Sequence, residues 1–253
     1  TMPNWCQNNL TVIGDKKVIE ELSEVVKKGN KRSSSNIAQG LPKFVVNNNT
    51  ILKTVLEEIE SKHKYPITTG LLDFFHPMPT VFFATVRGSH PPEWQKTYQK
   101  NLIKYYGCDD WYDWCTKNWS TKWDVFSDDI TILDESYTQH KGRIEIEFNT
   151  AWSPPEKAVE RWAKYITHYT NENLNKCLLT YIEPGADFCG FLDPLTNDEY
   201  DTMVCNYRMI PNIEYMHWLS RACQECLNYF EEEEDDAIEK EFKQKLIKQK
   251  LKV

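Results

Sequence analysis

The chain has 253 residues, of which 40% are hydrophobic and 27% charged, so its composition is that of a globular protein with an ordinary core. A mean hydropathy of −0.63, with no long apolar run, excludes a membrane-spanning protein. The net charge of −8 argues against direct nucleic-acid binding, which needs clustered Lys and Arg, and favours a basic partner.

The eight cysteines are scattered, and the first residues lack the basic and apolar segments of a secretory signal. We therefore expect a cytoplasmic protein with reduced thiols. Cys223 and Cys226 have the spacing of zinc ligands but lack a second pair, so we expect no metal and no cofactor.

The first predicted unit is a strand followed by a helix. Residues 9–13 form the strand, Asp15 is expected to cap the helix, and Gly29 to stop it. Apolar residues recur along this helix at helical spacing: Val18, Ile19, Leu22, Val25 and Val26. Residues 31–49 are polar and indicate a loop, and residues 51–59 indicate a short amphipathic helix.

The middle of the chain combines a predicted second strand with a tryptophan-rich insertion. Leu71–Phe75 is the predicted strand, which Pro77 and Pro79 stop because proline cannot donate to a strand ladder. Residues 91–106 predict a helix. Five of the nine tryptophans lie at positions 94–123, a density that indicates a specialised segment.

The second half repeats the strand and helix pattern. Residues 130–133 and 143–148 predict strands, and a helix follows with Ser153 as its N-cap, Pro154 as its first residue and Glu156 closing a capping box. The buried stripe of this helix is predicted to be Ala158, Val159, Trp162, Ala163 and Ile166.

Further strands are predicted at residues 177–182, 188–192 and 202–207, and helices at 213–230 and in the charged tail. Together these elements predict an α+β protein. Residues 1–207 are expected to form a ferredoxin-like antiparallel sheet (β-α-β plus β-α-β) with insertions at about 30–70 and 80–128, the second of them helical and tryptophan-rich. Residues 208–253 are expected to be a C-terminal helical extension.

Five motifs follow one another along the chain. They are residues 2–6 (MPNWC) with Asn8 or Asn9 and Leu10, Pro77 with Pro79, residues 119–124 (WSTKWD), residues 148–155 (FNTAWSPP), and residues 183–185 (EPG) with Phe188 and Gly190. In this order they resemble the YubB ferredoxin-like family of phage and conjugative-plasmid proteins, over about residues 2–207. The chain departs from that family in having Ser120 where glycine is usual, in the 30–70 insertion and in the C-terminal helices.

The resemblance implies an accessory protein of a phage or mobile element in the cytoplasm of a bacterial host. By analogy with small proteins of such elements, we expect a non-enzymatic protein that binds a host protein, as a counter-defence inhibitor. The alternative from the same setting is a sponge that binds a nucleotide-derived signal. A homo-oligomer formed through the C-terminal helices also stays open.

The candidate ligand- or partner-binding residues come from the tryptophan-rich segment and from the turn after residue 148. Their indole faces and hydrogen-bonding groups are the composition of a binding hot spot. They are Trp111, Tyr112, Asp113, Trp119, Thr121, Lys122, Trp123, Asp124, Thr150 and Trp152. Interleaved polar residues predict that 111–124 lies partly on the surface; the competing interpretation is that these tryptophans are core, with Lys122 and Asp124 exposed or paired.

An enzyme is the third function considered. Loss of the preceding methionine would expose the amine of Pro3 as a base or nucleophile, and Glu183, Asp187 and His76 lie near predicted strand ends. The competing interpretation of Pro3 is that it fixes the entry into the first strand, with Trp5 buried. The chain has no phosphate-binding loop or nucleophile elbow, so we expect that it is not an enzyme.

Overall fold

The computed structural model describes residues 4–32, 67–183, 185–186, 188–195 and 202–206. The strands are β1 (Trp5–Asp15), β2 (Asn30–Arg32), β3 (Ile67–Thr69), β4 (Ile130–Tyr137), β5 (Lys141–Ala151), β6 (Leu174–Glu183), β7 (Phe188–Leu192) and β8 (Thr202–Asn206). The α-helices are α1 (Lys16–Lys28), α2 (Leu71–Phe75), α3 (Glu93–Tyr106), α4 (Trp111–Asn118) and α5 (Glu156–Tyr169), and 3-10 helices cover Thr80–Ala84 and Ser127–Asp129.

The protein is a mixed α/β protein built on an antiparallel sheet. Six strands of the described residues pair in the order β4-β5-β1-β6-β7-β8. The central strand β1 pairs with β5 on one side and β6 on the other. The four strands β4, β5, β1 and β6 and the helices α1 and α5 follow the chain order β1-α1-β4-β5-α5-β6. The β-α-β unit predicted in the second half is present as β5-α5-β6, whereas the segment predicted as the second strand of the first unit, Leu71–Phe75, is a helix. The first predicted strand and all strands predicted from residue 130 onward are confirmed, and only the positions of their ends differ.

Helices α1 and α5 pack on the sheet and bury one continuous core. Cys6, Leu10 and Val12 of β1 are fully buried, as alternate residues of a central strand should be. The apolar stripes predicted for both helices are buried at every predicted position. Periodicity therefore predicted both helix faces correctly, and the predicted helix at 91–106 is confirmed as α3.

Helix α2 corrects the predicted second strand, because Leu71–Phe75 is a five-residue helix. A short apolar run fits a buried helix as well as a buried strand, so periodicity alone does not decide between them. A distant contact favours the helix here. The backbone amides of Gly70 and Leu72 donate to the Asp124 carboxylate at 2.7 and 2.8 Å, which satisfies donors at the helix N-terminus.

The capping box predicted for α5 is also wrong. The helix begins at Glu156 and has no side-chain cap. The Ser153 hydroxyl instead donates to the Ser120 carbonyl, and the Glu156 carboxylate accepts a hydrogen bond from the Tyr181 hydroxyl at 2.6 Å. Both predicted capping groups thus join α5 to neighbouring segments.

Asp15 precedes α1 as predicted but makes no side-chain hydrogen bond to that helix. Its carboxylate pairs with Lys141 and accepts from the amide of Asn173. These contacts lower the pKa of Asp15 and connect β1 to the turns beside it at this end of the sheet.

A buried ion pair joins the small β2–β3 sheet to α2. Arg32 donates to Asp73 at 3.1 Å, with 9% and 1% of the two side chains exposed. Asp73 also accepts from the Thr69 hydroxyl at 2.7 Å and the Met78 amide at 2.9 Å. Residues 31–32, predicted to be in a loop, therefore belong to a strand.

The predicted loop at 33–49, the helix at 51–59 and the extension at 208–253 lie outside the described residues, so the domain boundaries stay predictions. Within the part of the chain that is described, no helix has the length and apolar composition that crossing a membrane requires.

Candidate functional site

Three of the sequence motifs meet at one end of the sheet, where β1 begins and β5 ends. Trp5 is paired with Ala151 across these strands, and the Trp152 amide donates to the Asn4 carbonyl at 2.9 Å. The Thr121 hydroxyl donates to the Ala151 carbonyl at 2.9 Å, which brings the 119–124 segment to the same place. Residues far apart in sequence are therefore brought together by β-strand pairing.

A buried hydrogen-bond network supports this end of the sheet. The Asn8 amide group donates to the Thr150 hydroxyl at 2.9 Å and to the carbonyls of Cys6 and Phe148. Thr150 in turn donates to the Ser153 carbonyl at 2.7 Å. Buried polar groups need such partners, and here they fix the turn that follows β5. Thr121 and Thr150, both predicted as binding residues, are buried and bond to backbone or to this network.

The turn after β5 and the turn after α4 both contain a residue in left-handed conformation. Ser120 has φ 70° and Trp152 has φ 68°, and no other non-glycine residue in the described ranges has positive φ. Such conformations cost about 1–3 kcal/mol each and persist only where the surrounding structure enforces them. The Ser153–Ser120 hydrogen bond joins the two turns, so they hold each other in place.

Three tryptophans present exposed indoles beside these turns. Trp5, Trp123 and Trp152 are 48%, 39% and 41% exposed, so the expected burial of Trp5 is wrong. The rings of Trp5 and Trp123 lie 6.2 Å apart between centroids, tilted by 44°. The Lys122 ammonium lies 4.1 Å from the Trp123 ring centroid and 5.1 Å from that of Trp152, within the range of cation–π attraction.

The predicted aromatic residues divide between surface and core. Trp119 is buried, and its indole donates to the His76 carbonyl at 2.8 Å. Trp111 and Tyr112 are half-buried on α4 and pack edge to face. The segment 111–124 is thus partly exposed, as predicted. Trp119, in contrast, belongs to the core, as the competing interpretation held.

An open cleft of about 640 Å³ lies next to the exposed indoles. Its lining residues are Trp5, Gln7, Trp123, Asp124, Val125, Asp128, Asp129, Thr131, Asn149, Thr150 and Ala151. Of the described residues, three carboxylates and no basic side chain line the cleft. Trp5, Asp128 and Asp129 are not among the predicted binding residues, although Trp5 belongs to a motif and the two aspartates form an acidic pair shortly after the 111–124 segment.

Asp124 borders the cleft, but its carboxylate serves the fold. It accepts hydrogen bonds from the amides of Gly70, Leu72 and Val125, at 2.7 to 2.9 Å. Burial raises the pKa of this carboxyl to about 6, the negative charge of Asp73 adds to the effect, and the amides oppose it. Gly70 is required here, since a Cβ on it would lie 2.2 Å from the Val125 carbonyl oxygen.

Asp124 is expected to make the stability of the protein depend on pH. Its pKa of about 6 in the folded protein lies above the ordinary 3.8, so the folded state binds the proton more tightly than the unfolded chain. This contribution is complete below pH 3.8 and is lost as the pH rises through 6, by about 2–3 kcal/mol in the free energy of unfolding. Asp124→Asn cannot titrate, so urea unfolding should show the stability of wild type falling relative to this variant between pH 4 and 7. A constant difference would contradict the raised pKa.

The residues considered for acid–base catalysis are engaged elsewhere. Glu183 is buried, and its carboxylate accepts from the amides of Gly185 and Ala186. His76 stacks on Trp114 with ring centroids 5.1 Å apart, and burial, with nearby Arg161, lowers its pKa to about 4. Neither residue lines the cleft. Pro3 and Asp187 lie outside the described residues.

Asp113, another predicted binding residue, lies on α4 in an acidic group with Asp109 and Asp110. Their oxygens are close enough to hold a cation, but Asp113 pairs with Arg87 at 2.7 Å and Asp110 accepts from the Asp113 amide as the helix cap. The Arg87 guanidinium also lies 3.4 Å from the centroid of the Tyr112 ring. The acidic group is thus accounted for by local contacts.

Comparison with protein families, curated proteins and solved structures finds no match to this chain.

Proposed function

We propose that this chain is a non-enzymatic binding protein that recognises a protein partner through the cleft and the exposed indoles beside it. The observation that carries this proposal is that the exposed residues Trp5 and Trp123 line the cleft. Trp152 is also exposed, and its ring shares the Lys122 ammonium with that of Trp123. Aromatic residues rimmed by polar groups are the usual composition of protein-binding hot spots, and large exposed aromatics in one place mark interaction surfaces.

The biological setting is part of the same proposal. The strand order β4-β5-β1-β6, with α1 directly after β1 and α5 directly after β5, supports a ferredoxin-like fold. Ser120, which stands where the YubB family usually has glycine, has φ 70°, a conformation that glycine adopts without strain. Membership of that family would make the protein a phage or mobile-element product, and a host defence protein its partner in the bacterial cytoplasm.

A protein partner fits the cleft better than a nucleotide does. Phosphate groups need positive charge, whereas the exposed carboxylates of Asp128 and Asp129 line the cleft. The observation that favours a nucleotide is the pair of cations over the Tyr112 ring, with Arg87 at 3.4 Å and Lys122 at 5.9 Å from its centroid. A nucleotide sponge is therefore the second candidate, at the surface beside the cleft.

Affinity capture with three forms of the protein tests this proposal. Wild type, Trp5→Ala/Trp123→Ala and Tyr165→Ala/Tyr169→Ala serve as baits in host-cell extract, and proteins and small molecules in the eluates are identified by mass spectrometry. Tyr165 and Tyr169 are a matched control, because they are also exposed and stacked, 6.2 Å apart on α5.

The expected result is a protein that the wild type and the tyrosine variant retain equally and the tryptophan variant retains about tenfold less. Unchanged melting temperatures for all three baits would show that the loss is local. Equal retention by all baits contradicts a site at the indoles. A nucleotide in the eluates without a protein would favour the sponge.

A further inference from the structure

We infer that the cleft binds a basic side chain of the partner, with arginine preferred over lysine. This side chain lies between the indoles of Trp5 and Trp123 and the carboxylates of Asp128 and Asp129. This inference rests on the proposed function and deepens it by naming the chemistry of the contact.

Asp128 and Asp129 give the cleft negative charge that no ion pair among the described residues neutralises. Asp128 and Asp129 are exposed at its edge, and within the described ranges neither forms an ion pair. The two aspartates are neighbours in sequence, and a cation bound near both carboxylates gains attraction from each of them. The net charge of −8 adds a long-range attraction for a basic partner.

One of the two indoles, that of Trp123, already has a cation beside it in the protein itself. The half-buried Lys122 places its ammonium 4.1 Å from the Trp123 ring centroid. Lys122 is not among the residues that line the cleft, and the ring of Trp5 lies 6.2 Å from that of Trp123. A planar guanidinium stacks on indole more favourably than an ammonium does, which favours arginine.

The remaining polar residues of the cleft supply acceptors for such a group. Gln7 and Asn149 are paired across β1 and β5, and Thr131 lies on the adjacent strand β4. A guanidinium carries five N–H donors and no acceptor, so amide and hydroxyl oxygens complement the two carboxylates. The lining thus combines aromatic faces, carboxylates and neutral acceptors. A guanidinium can stack on the first, pair with the second and donate hydrogen bonds to the third.

Fluorescence anisotropy with labelled hexa-arginine, hexa-lysine and hexa-glutamate peptides tests the inference on the purified chain. Asp128→Asn/Asp129→Asn removes the cleft charge with little change in shape. Glu20→Gln/Glu172→Gln is the matched control, since it removes the same charge near the far end of β1, where Glu172 pairs with Lys17. We expect the cleft variant to bind hexa-arginine about tenfold more weakly and the control to change the affinity less than about twofold.

A third variant, Trp123→Leu, tests the aromatic contribution at constant charge. Hexa-arginine should bind wild type more tightly than hexa-lysine does, and this preference should disappear in Trp123→Leu. Equal losses in the cleft and control charge variants would mean general electrostatic attraction and would overturn the inference. A further outcome is that Trp5→Ala/Trp123→Ala loses the captured partner while Asp128→Asn/Asp129→Asn retains it. In that case the proposed function stands, and the inference that the cleft binds a basic side chain is overturned.

Discussion

Trp162→Ala is expected to lower the free energy of unfolding by about 3–5 kcal/mol, because it removes a large buried aromatic and leaves a cavity. Trp162 lies on the buried stripe of α5 with 3% of its surface exposed. Its ring packs against Phe75 of α2 at 4.9 Å between centroids and against Phe74 at 6.2 Å. The substitution therefore weakens the contact between α5 and α2 as well as the core. Chemical unfolding monitored by circular dichroism measures the change.

Tyr165→Ala on the same helix is the control for that experiment. Tyr165 is 56% exposed, so its removal should change the free energy of unfolding by less than about 0.5 kcal/mol. Similar losses for the two variants would mean that the burial of Trp162 does not determine the effect, since alanine itself favours a helix more than either aromatic residue does.

Asp73→Ala should cost about 3–5 kcal/mol, since it leaves the Arg32 guanidinium buried without its counter-charge. Arg32 retains one acceptor, the Met78 carbonyl at 2.7 Å, but the Met78 amide loses its acceptor and the Thr69 hydroxyl keeps only the Asn30 carbonyl at 3.4 Å. Thermal and urea unfolding of the variant should both show the loss.

Two further variants separate the buried pair from a general charge effect. Glu20→Gln breaks an exposed ion pair, in which the side chains of Lys16 and Glu20 are 43% and 55% exposed. This substitution should lower the free energy of unfolding by less than about 1 kcal/mol. Arg32→Met with Asp73→Ala removes both charges and should recover part of the stability lost by Asp73→Ala alone. If the double variant is less stable than Asp73→Ala, the stranded charge is not the cause.

The sequence correctly predicted those helices and strands whose apolar residues recur with a regular period. The stripes of α1 and α5 repeat at helical spacing, and β5 alternates, so each of these three elements has one face that must be buried. Those faces also determine which side of the sheet the helices cover. No contact between distant residues is needed for these predictions.

The errors occur where contacts between distant residues decide the local structure. Leu71–Phe75 is a helix because Asp124, some fifty residues later, accepts hydrogen bonds from its first amides. Ser153 does not cap α5 because Ser120 lies within reach of its hydroxyl. Neither neighbour is visible from the sequence of the segment itself, so capping rules gave the wrong answer.

The candidate site was predictable in composition and not in shape. The sequence drew attention to Lys122, Trp123 and Trp152, which the structure brings together. The sequence did not reveal that Trp5 lies beside Trp123. That position depends on the register between β1 and β5, which places Trp5 opposite Ala151 and is not visible in either strand alone. That register also determines where the cleft opens.

Hydroxyl-radical footprinting of the protein alone and in complex with its captured partner tests most directly that the partner binds at this end of the sheet. We predict that Trp5, Trp123 and Trp152 are oxidised more slowly in the complex, while Tyr165 and Tyr169 on α5 react at the same rate in both samples. Protection of the two tyrosines with unchanged oxidation of the three tryptophans would place the partner elsewhere and contradict the proposed site.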